Sequence, residues 1–200
     1  MKKVLLLLAL CFLPLFGRAQ SHEFSYPETW MQFTPVAFHL GAAELGLKCE
    51  SSFAERAVTA TLAYGTQTVI CYTLKSLIRE ERPDGSRMNS FPSAHTAAAF
   101  TGAELIRSDY GNGPGSAFYA CGIYVAAMRV QHQRHWWWDT VAGATIGVAS
   151  VFIARALEEP VWELLESWGL KRGGESSPVS FSPARDPMSG ALCASVAIRF

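Results

Sequence analysis

Arg129 and the stretch Gln131-His-Gln-Arg-His-Trp-Trp-Trp-Asp139 hold the residues with the clearest chemical content. His135 and Asp139 lie four residues apart, one turn of a helix, so the carboxylate can reach the imidazole. A carboxylate on one ring nitrogen fixes the tautomer and leaves the other nitrogen free as a base or nucleophile. Alone the pair is weak evidence, because a His and an Asp at this spacing more often form a surface or capping pair. Two upstream stretches supply partners. Lys75 and Arg82 fall at i and i+7, two turns apart on one helical face, with Arg79 between them. They read either as a solvated basic stripe, which Glu80 and Glu81 nearby favour, or as a cation cluster for an anion. Phe91-Pro-Ser-Ala-His95 sets Ser93, the amides of Ala94 and His95, and the His95 imidazole at a helix start. Free amides and the positive end of the helix dipole make such a start a phosphate site.

The elements that must carry these residues read as helices. From Glu28 to Leu47 the pattern is weakly helical, with Pro35 at an early turn or kink and Gly46 near the end. Ser51-Ser52 is an N-cap signal for a long segment from Phe53 to Ile78, uncharged between Arg56 and Lys75. Arg82-Pro83 is expected to end that helix, since a residue before proline avoids helical angles. A loop from Asp84 to Asn89 leads to a helix from Pro92-Ser93 to about Arg107. Gly111-Asn-Gly-Pro-Gly115 reads as a loop, Ser116 to Arg129 as another helix. A further helix to about Leu157 carries Gly143 and Gly147 at a spacing that allows close helix packing. Glu159-Pro160 is expected to start a short last helix. Ala98, Ala99 and Gly102 share a face with His95, where a neighbouring helix can approach closely.

At 200 residues the chain can form one domain with a sizeable core, and no internal repeat is visible. Half the residues are hydrophobic, which excludes disorder for the body of the chain. The formal charge is zero, so nothing draws the protein generally toward nucleic acid. Residues 1–19 have the plan of a signal peptide: Lys2 and Lys3, an apolar run from Val4 to Phe16, then Gly17-Arg18-Ala19. Cleavage near Gln20 would leave 14 basic against 17 acidic side chains. Leu10 before Cys11, and an apolar run that continues past it, argue against a lipidated cysteine. Cys49, Cys71, Cys121 and Cys193 show no metal-ligand spacing, and core thiols are the expected state. After Gly169 the composition turns to Gly, Ser and Pro, a loose tail over residues 171–200. Leu192, Ala194, Val196, Ile198 and Phe200 share one face of a terminal strand, within a hairpin or a disordered end.

Taken together, Lys75 with Arg82-Pro83, Pro92-Ser93-Ala94-His95, and Arg129 with His135 and Asp139 resemble the signature of the type 2 phosphatidic acid phosphatase superfamily. That superfamily includes bacterial class A acid phosphatases and vanadium haloperoxidases. Its pattern is Lys-x6-Arg-Pro, Pro-Ser-Gly-His, and Ser-Arg-x5-His-x3-Asp. Ala94 stands in place of the Gly and Met128 in place of the Ser; the resemblance runs from Pro35 to Glu158. His132 matches no motif position and is left as a solvent or supporting residue.

The resemblance implies an all-α fold, a bundle of about six helices over residues 20–170 with the site between helices. It implies that His135 attacks phosphorus to give a phosphohistidine, with Asp139 holding its other nitrogen. His95 protonates the leaving oxygen and later activates water. Lys75, Arg82, Arg129, Ser93 and the Ala94 amide carry the phosphate oxygens. No metal or other cofactor is then required. The expected substrate is a phosphorylated small molecule or lipid, at a periplasmic or membrane-associated enzyme. Arg134 and Trp136-Trp137-Trp138 are candidates for a rim at the site, or for packing against neighbouring helices. The alternatives are a vanadium-dependent haloperoxidase and a non-catalytic exported helical protein. The uncharged segments, about 15 to 18 residues, are marginal against the ~20 apolar residues a membrane span needs.

Overall fold

A computed structural model describes residues 26–170, residue 172, and two strands near the C-terminus. The expected signal peptide and its cleavage site lie outside the described residues. Among those residues there are six helices, α1 Pro27–Met31, α2 Thr34–Gly41, α3 Phe53–Leu77, α4 Ala94–Tyr110, α5 Asn112–Gln131 and α6 Trp137–Ser167. Strands β1 Val179–Arg185 and β2 Leu192–Ile198 pair antiparallel, Val179 opposite Ile198 and Arg185 opposite Leu192. The terminal alternation is therefore one arm of a hairpin, with Phe200 outside the described residues.

α4 is the middle of the bundle. From Thr96 to Ile106 every residue but Phe100 is buried, and α2, α3, α5 and α6 all pack on it. Its Ala, Thr and Gly side chains are short, so neighbours approach closely. Gly102 faces Pro35 and Tyr64, while Gly143 and Gly147 of α6 lie against the carbonyls of Ser93 and Ala97. The expected close packing on both faces is found. α3 begins with a reciprocal cap: Ser52 Oγ accepts from Glu55 N–H at 3.2 Å and Glu55 Oε2 accepts from Ser52 N–H at 2.8 Å. Its buried stripe of Ala57, Ala60, Ala63, Tyr64, Gln67 and Cys71 follows the helical period. Ala60, Ala63 and Tyr64 join Val36, Ala98, Leu105, Val151 and Ala154 in one apolar cluster.

Three expectations are corrected. The segment from Glu28 to Leu47 is two short helices, broken at Gln32 and Phe33, with Pro35 in the first turn of the second. Gly111-Asn-Gly-Pro-Gly115 is not a loop: only Gly111, at φ 88°, breaks the chain, and α5 starts at Asn112. Pro114 sits in that first turn, where no donor is needed, and Gly115 sits against Arg107, where a side chain would collide. Pro160 starts no helix but lies inside α6. It removes one backbone bond, while buried Val151 and Ala154 before it and Trp162 and Leu165 after it hold the helix together. The helices that hold the uncharged segments run 25, 20 and 31 residues for α3, α5 and α6. Among the described residues one helix, α6, is long and apolar enough to cross a membrane by length and composition.

Of the cysteines, Cys71 is buried while Cys49 and Cys121 are half-buried, and all three are free thiols. Cys193 falls in β2.

Candidate active site

The chain between α5 and α6 is a tight reversal. Gln133 takes a left-handed conformation at φ 53°, and the Arg134 and His135 amides both donate to the Arg129 carbonyl, at 3.0 and 3.3 Å. This turn sets Arg129 and His135 side by side. His135 stands just before the N-cap Trp136, and Asp139 is the third residue of α6. The pair therefore spans a helix entry, not a turn of formed helix. Asp139 Oδ2 accepts the Trp136 amide at 2.9 Å and the Ser90 hydroxyl at 2.5 Å, and lies 3.5 Å from His135 Nδ1. A carboxylate here also meets the positive end of the α6 dipole.

Lys75 lies in the last turn of α3, and its Nζ donates to the carbonyls of Asn89 at 2.8 Å and Ser90 at 3.3 Å. α3 ends at Leu77, so Arg79 and Arg82 do not continue its face; that expectation is corrected. Arg82 instead enters from the loop, in a turn closed by Gly85 N–H to the Arg82 carbonyl at 2.9 Å and Arg82 N–H to the Arg87 carbonyl at 3.0 Å. The loop is fastened to the α5–α6 turn. Asp84 N–H donates to the Gln133 carbonyl at 3.2 Å and Arg134 pairs with Asp84 at 3.0 Å. Trp136 Nε1 donates to the Glu81 carbonyl at 2.9 Å and Trp138 Nε1 to Glu80 Oε1 at 2.8 Å. The indoles of Trp136 and Trp138 stack 5.1 Å apart, and Trp137 is the most exposed of the three. Two of the three tryptophans thus fix the loop that delivers Arg82.

Ser93 caps α4 without a side-chain bond to a backbone amide; its Oγ pairs instead with Thr96 Oγ1 in the first turn at 3.0 Å. Its amide donates to the Asp139 carbonyl at 3.0 Å, which ties the start of α4 to the start of α6. Ala94 and His95 are the first two residues of α4, where backbone amides have no partner within the helix.

The charges act on one another. Burial first, then the charge of Arg82, brings the Lys75 ammonium down to about 8. Burial lowers His135 to about 4 against the pull of Asp139, with Lys75, Arg129 and Arg82 adding to the decrease. His95 is pushed well below its ordinary value by burial and then by Arg129, His135, Lys75 and Arg82. Burial would raise the Asp139 carboxyl, but the contacts with His135, the Ser90 hydroxyl, the Glu80 carboxyl and the Trp136 amide outweigh it and keep it low. Lys75, Arg82, His95, Arg129, His135 and Asp139 act on one another, Ser93 bonds to the Asp139 carbonyl, and Ala94 stands between Ser93 and His95, so the residues singled out in the sequence come together. Ser90 was not singled out; its only signal is its place just before Phe91-Pro92.

His132 is neither exposed nor part of the cradle. It pairs through Nδ1 with the fully buried Glu28 at 2.7 Å and lies under Tyr26, pinning α1 to the reversal. Among the described residues no group of three or more His, Cys, Asp or Glu side chains could hold a metal ion.

The family model described as PAP2 superfamily matches residues 56–162, more than half of the chain. The chain belongs to the PAP2 superfamily. Relatives of this PAP2 chain include the lipid A 1-phosphatase of Porphyromonas gingivalis, 32% identical over an alignment of 123 residues that covers 58% of this chain. The matched region spans 27% of that longer relative. The crystal structure of Aquifex aeolicus LpxE shares the fold, with a TM-score of 0.51 and 22% identity over 76% of this chain and 94% of that one. The all-α PAP2 bundle expected from the sequence is the fold observed.

Proposed function

We propose that this protein is a phosphatase that removes phosphate from a phosphorylated lipid through a phosphohistidine on His135, without a metal ion. The observation that carries the reading is the convergence of Lys75, Arg82 and Arg129 on a buried His135 whose Nδ1 is backed by Asp139. The lipid A 1-phosphatase relative makes lipid A bearing a 1-phosphate the first substrate to test. Isoprenyl pyrophosphates and soluble monoesters are the other classes the same cradle would take. The enzyme works on the periplasmic side, exported with residues 1–19 removed and residues 20–170 forming the catalytic domain.

Asp139 beside Nδ1 selects the tautomer with its proton on Nδ1, so the lone pair of Nε2 is the nucleophile. As Nε2 bonds to phosphorus, the bond from phosphorus to the leaving oxygen breaks, and His95 gives that oxygen a proton. The imidazolium so formed is stabilised by Asp139, while the three cations and the Ala94 and His95 amides take the charge on the equatorial oxygens. Water then attacks phosphorus, His95 accepts its proton, the P–N bond breaks and inorganic phosphate leaves. Burial, and then the surrounding cations, keep both histidines neutral. A bound phosphate dianion offsets those cations and lets His95 carry the proton it must donate.

The test is phosphate release from lipid A 1-phosphate, an isoprenyl pyrophosphate and p-nitrophenyl phosphate in the presence of EDTA. Release from lipid A by the wild type, and none by His135→Ala, is the expected result. Loss of activity on chelation that added metal restores would overturn the metal-independent reading.

A further inference from the structure

Asp139 has two buried oxygens, and only Oδ2 meets the Ser90 hydroxyl and the Trp136 amide. Oδ1 is buried and meets no N–H or O–H donor. Glu80 has the complementary arrangement: Oε1 accepts from Trp138 Nε1 at 2.8 Å, while Oε2 is buried and also meets no donor. The two carboxyl groups act on each other, and both residues are tied to Ser90, Asp139 through its hydroxyl at 2.5 Å and the Glu80 backbone through its amide at 2.9 Å. Two ionised carboxylates side by side repel, and each buried oxygen without a donor costs a hydrogen bond. One proton between them satisfies both.

We propose that Glu80 is a positioning residue that shares a proton with Asp139, its Oε2 donating to Asp139 Oδ1 and holding the aspartate turned toward His135. The surroundings say which partner holds the proton. Asp139 accepts two conventional donors and faces His135 and Lys75, so its charge is well placed. Arg82 on the loop, Arg129 on α5 and His95 on α4 complete the ionisable groups on that side. What acts on Glu80 is burial, the Trp138 indole and Asp139, none of them a cation. The same residue holds the loop, since the Glu80 carbonyl accepts the Ser90 amide at 2.9 Å, next to the hydroxyl that binds Asp139. Glu80 therefore ties Trp138, Ser90 and Asp139 together without touching substrate.

The inference rests on the reaction proposed above for its activity arm, but its spectroscopic arm needs no turnover. Glu80→Gln keeps a donor in place of the acid proton, whereas Glu80→Ala removes it. Loss of one hydrogen bond to a charged group corresponds to about a tenfold fall in kcat for Glu80→Ala, with KM little changed and activity restored in Glu80→Gln. In the infrared difference spectrum of wild type minus Glu80→Gln at neutral pH, the carbonyl stretch of a protonated carboxylic acid is expected, shifting in D2O. Absence of that band overturns the proposal, as does a Glu80→Gln variant no more active than a folded Glu80→Ala. If the wild type turns over no phosphate ester, the reaction reading fails and the infrared band alone decides the protonation of Glu80. Should Glu80→Ala fail to fold, the infrared comparison again decides.

Discussion

His135 Nδ1 and Asp139 Oδ2 lie 3.5 Å apart across the entry to α6, with side chains 2% and 0% exposed. Neither side chain is held by this contact alone. The imidazole is placed by a turn whose amides close on the Arg129 carbonyl, and the carboxylate by the Trp136 amide and the Ser90 hydroxyl. A pair fixed from both sides in this way loses little entropy when it acts, which is what a nucleophile and its orienting base require.

Ser90 is the first test of that arrangement. Ser90→Ala removes the 2.5 Å bond to Asp139 Oδ2 and leaves the fold of the loop intact. A hydrogen bond to a charged group corresponds to about a tenfold effect, expected in kcat with little change in KM. Steady-state kinetics on p-nitrophenyl phosphate measures it; an unchanged kcat would remove Ser90 from the orienting set.

His95 and His135 separate by leaving group. A p-nitrophenolate departs with little protonation, whereas an alkoxide from a lipid or sugar does not. His95→Ala should lose far more activity on an alkyl phosphate than on p-nitrophenyl phosphate. Equal losses on the two substrates would take the general-acid role away from His95.

The helix contact behind the site is equally specific. A Cβ on Gly143 would stand 2.5 Å from the Ser93 carbonyl oxygen, whereas one on Gly65 would meet nothing within 4 Å. Gly143→Ala must push α6 from α4 at the point where Ser93 and Asp139 meet, an overpacking cost of about 1–3 kcal/mol. Gly65→Ala, in an open helical position, should be neutral or stabilising by about 0.5–1 kcal/mol. Denaturant unfolding of both variants decides, and equal stabilities would contradict the close approach.

Stability should carry the mark of the suppressed histidine. His135 titrates at about 4 in the folded protein, against an ordinary value near 6.5. Between those values the unfolded chain binds more protons, so this contribution is present above pH 6.5 and is lost as pH falls toward 4. The difference corresponds to about 3 kcal/mol. Other groups titrate in the same range, so the comparison is with His135→Gln, which has no such proton to refuse. Wild type should lose stability more steeply than this variant from pH 6.5 to 4; parallel curves would contradict the placement of His135 among the cations. Lys75, lowered to about 8, acts in the same sense at higher pH, with stability rising from about 8 to its ordinary 10.4.

Much of this was legible in the residues themselves. The Ser52–Glu55 cap, the helix start at Ser93 and the small residues on α4 and α6 are local signals, and local signals determine helix ends and close contacts. The spacing of His135 and Asp139 placed the pair, though it sits at a helix entry. What failed was whatever tertiary contacts decide. α3 stops at Leu77 because the following residues bond to Ser90, Trp136 and Trp138, none of which is near in sequence. Asn112 to Gly115 carries loop chemistry but is drawn into α5, where Gly115 packs on Arg107. Glu80, Ser90 and the Glu28–His132 pair had no pattern to announce them, since each acts through a partner far along the chain.

The central claim, a covalent phosphate on His135, has a direct measurement. Wild type, His135→Ala and His95→Ala are mixed with labelled p-nitrophenyl phosphate, quenched, and the protein-bound label is counted. Phosphohistidine is labile in acid and persists in alkali, so the label is followed under both quenches. Expected is label on wild type and on His95→Ala, located at His135 by peptide mapping, and none on His135→Ala. Label retained by a folded His135→Ala, or located at any other residue, would contradict the assignment of the nucleophile.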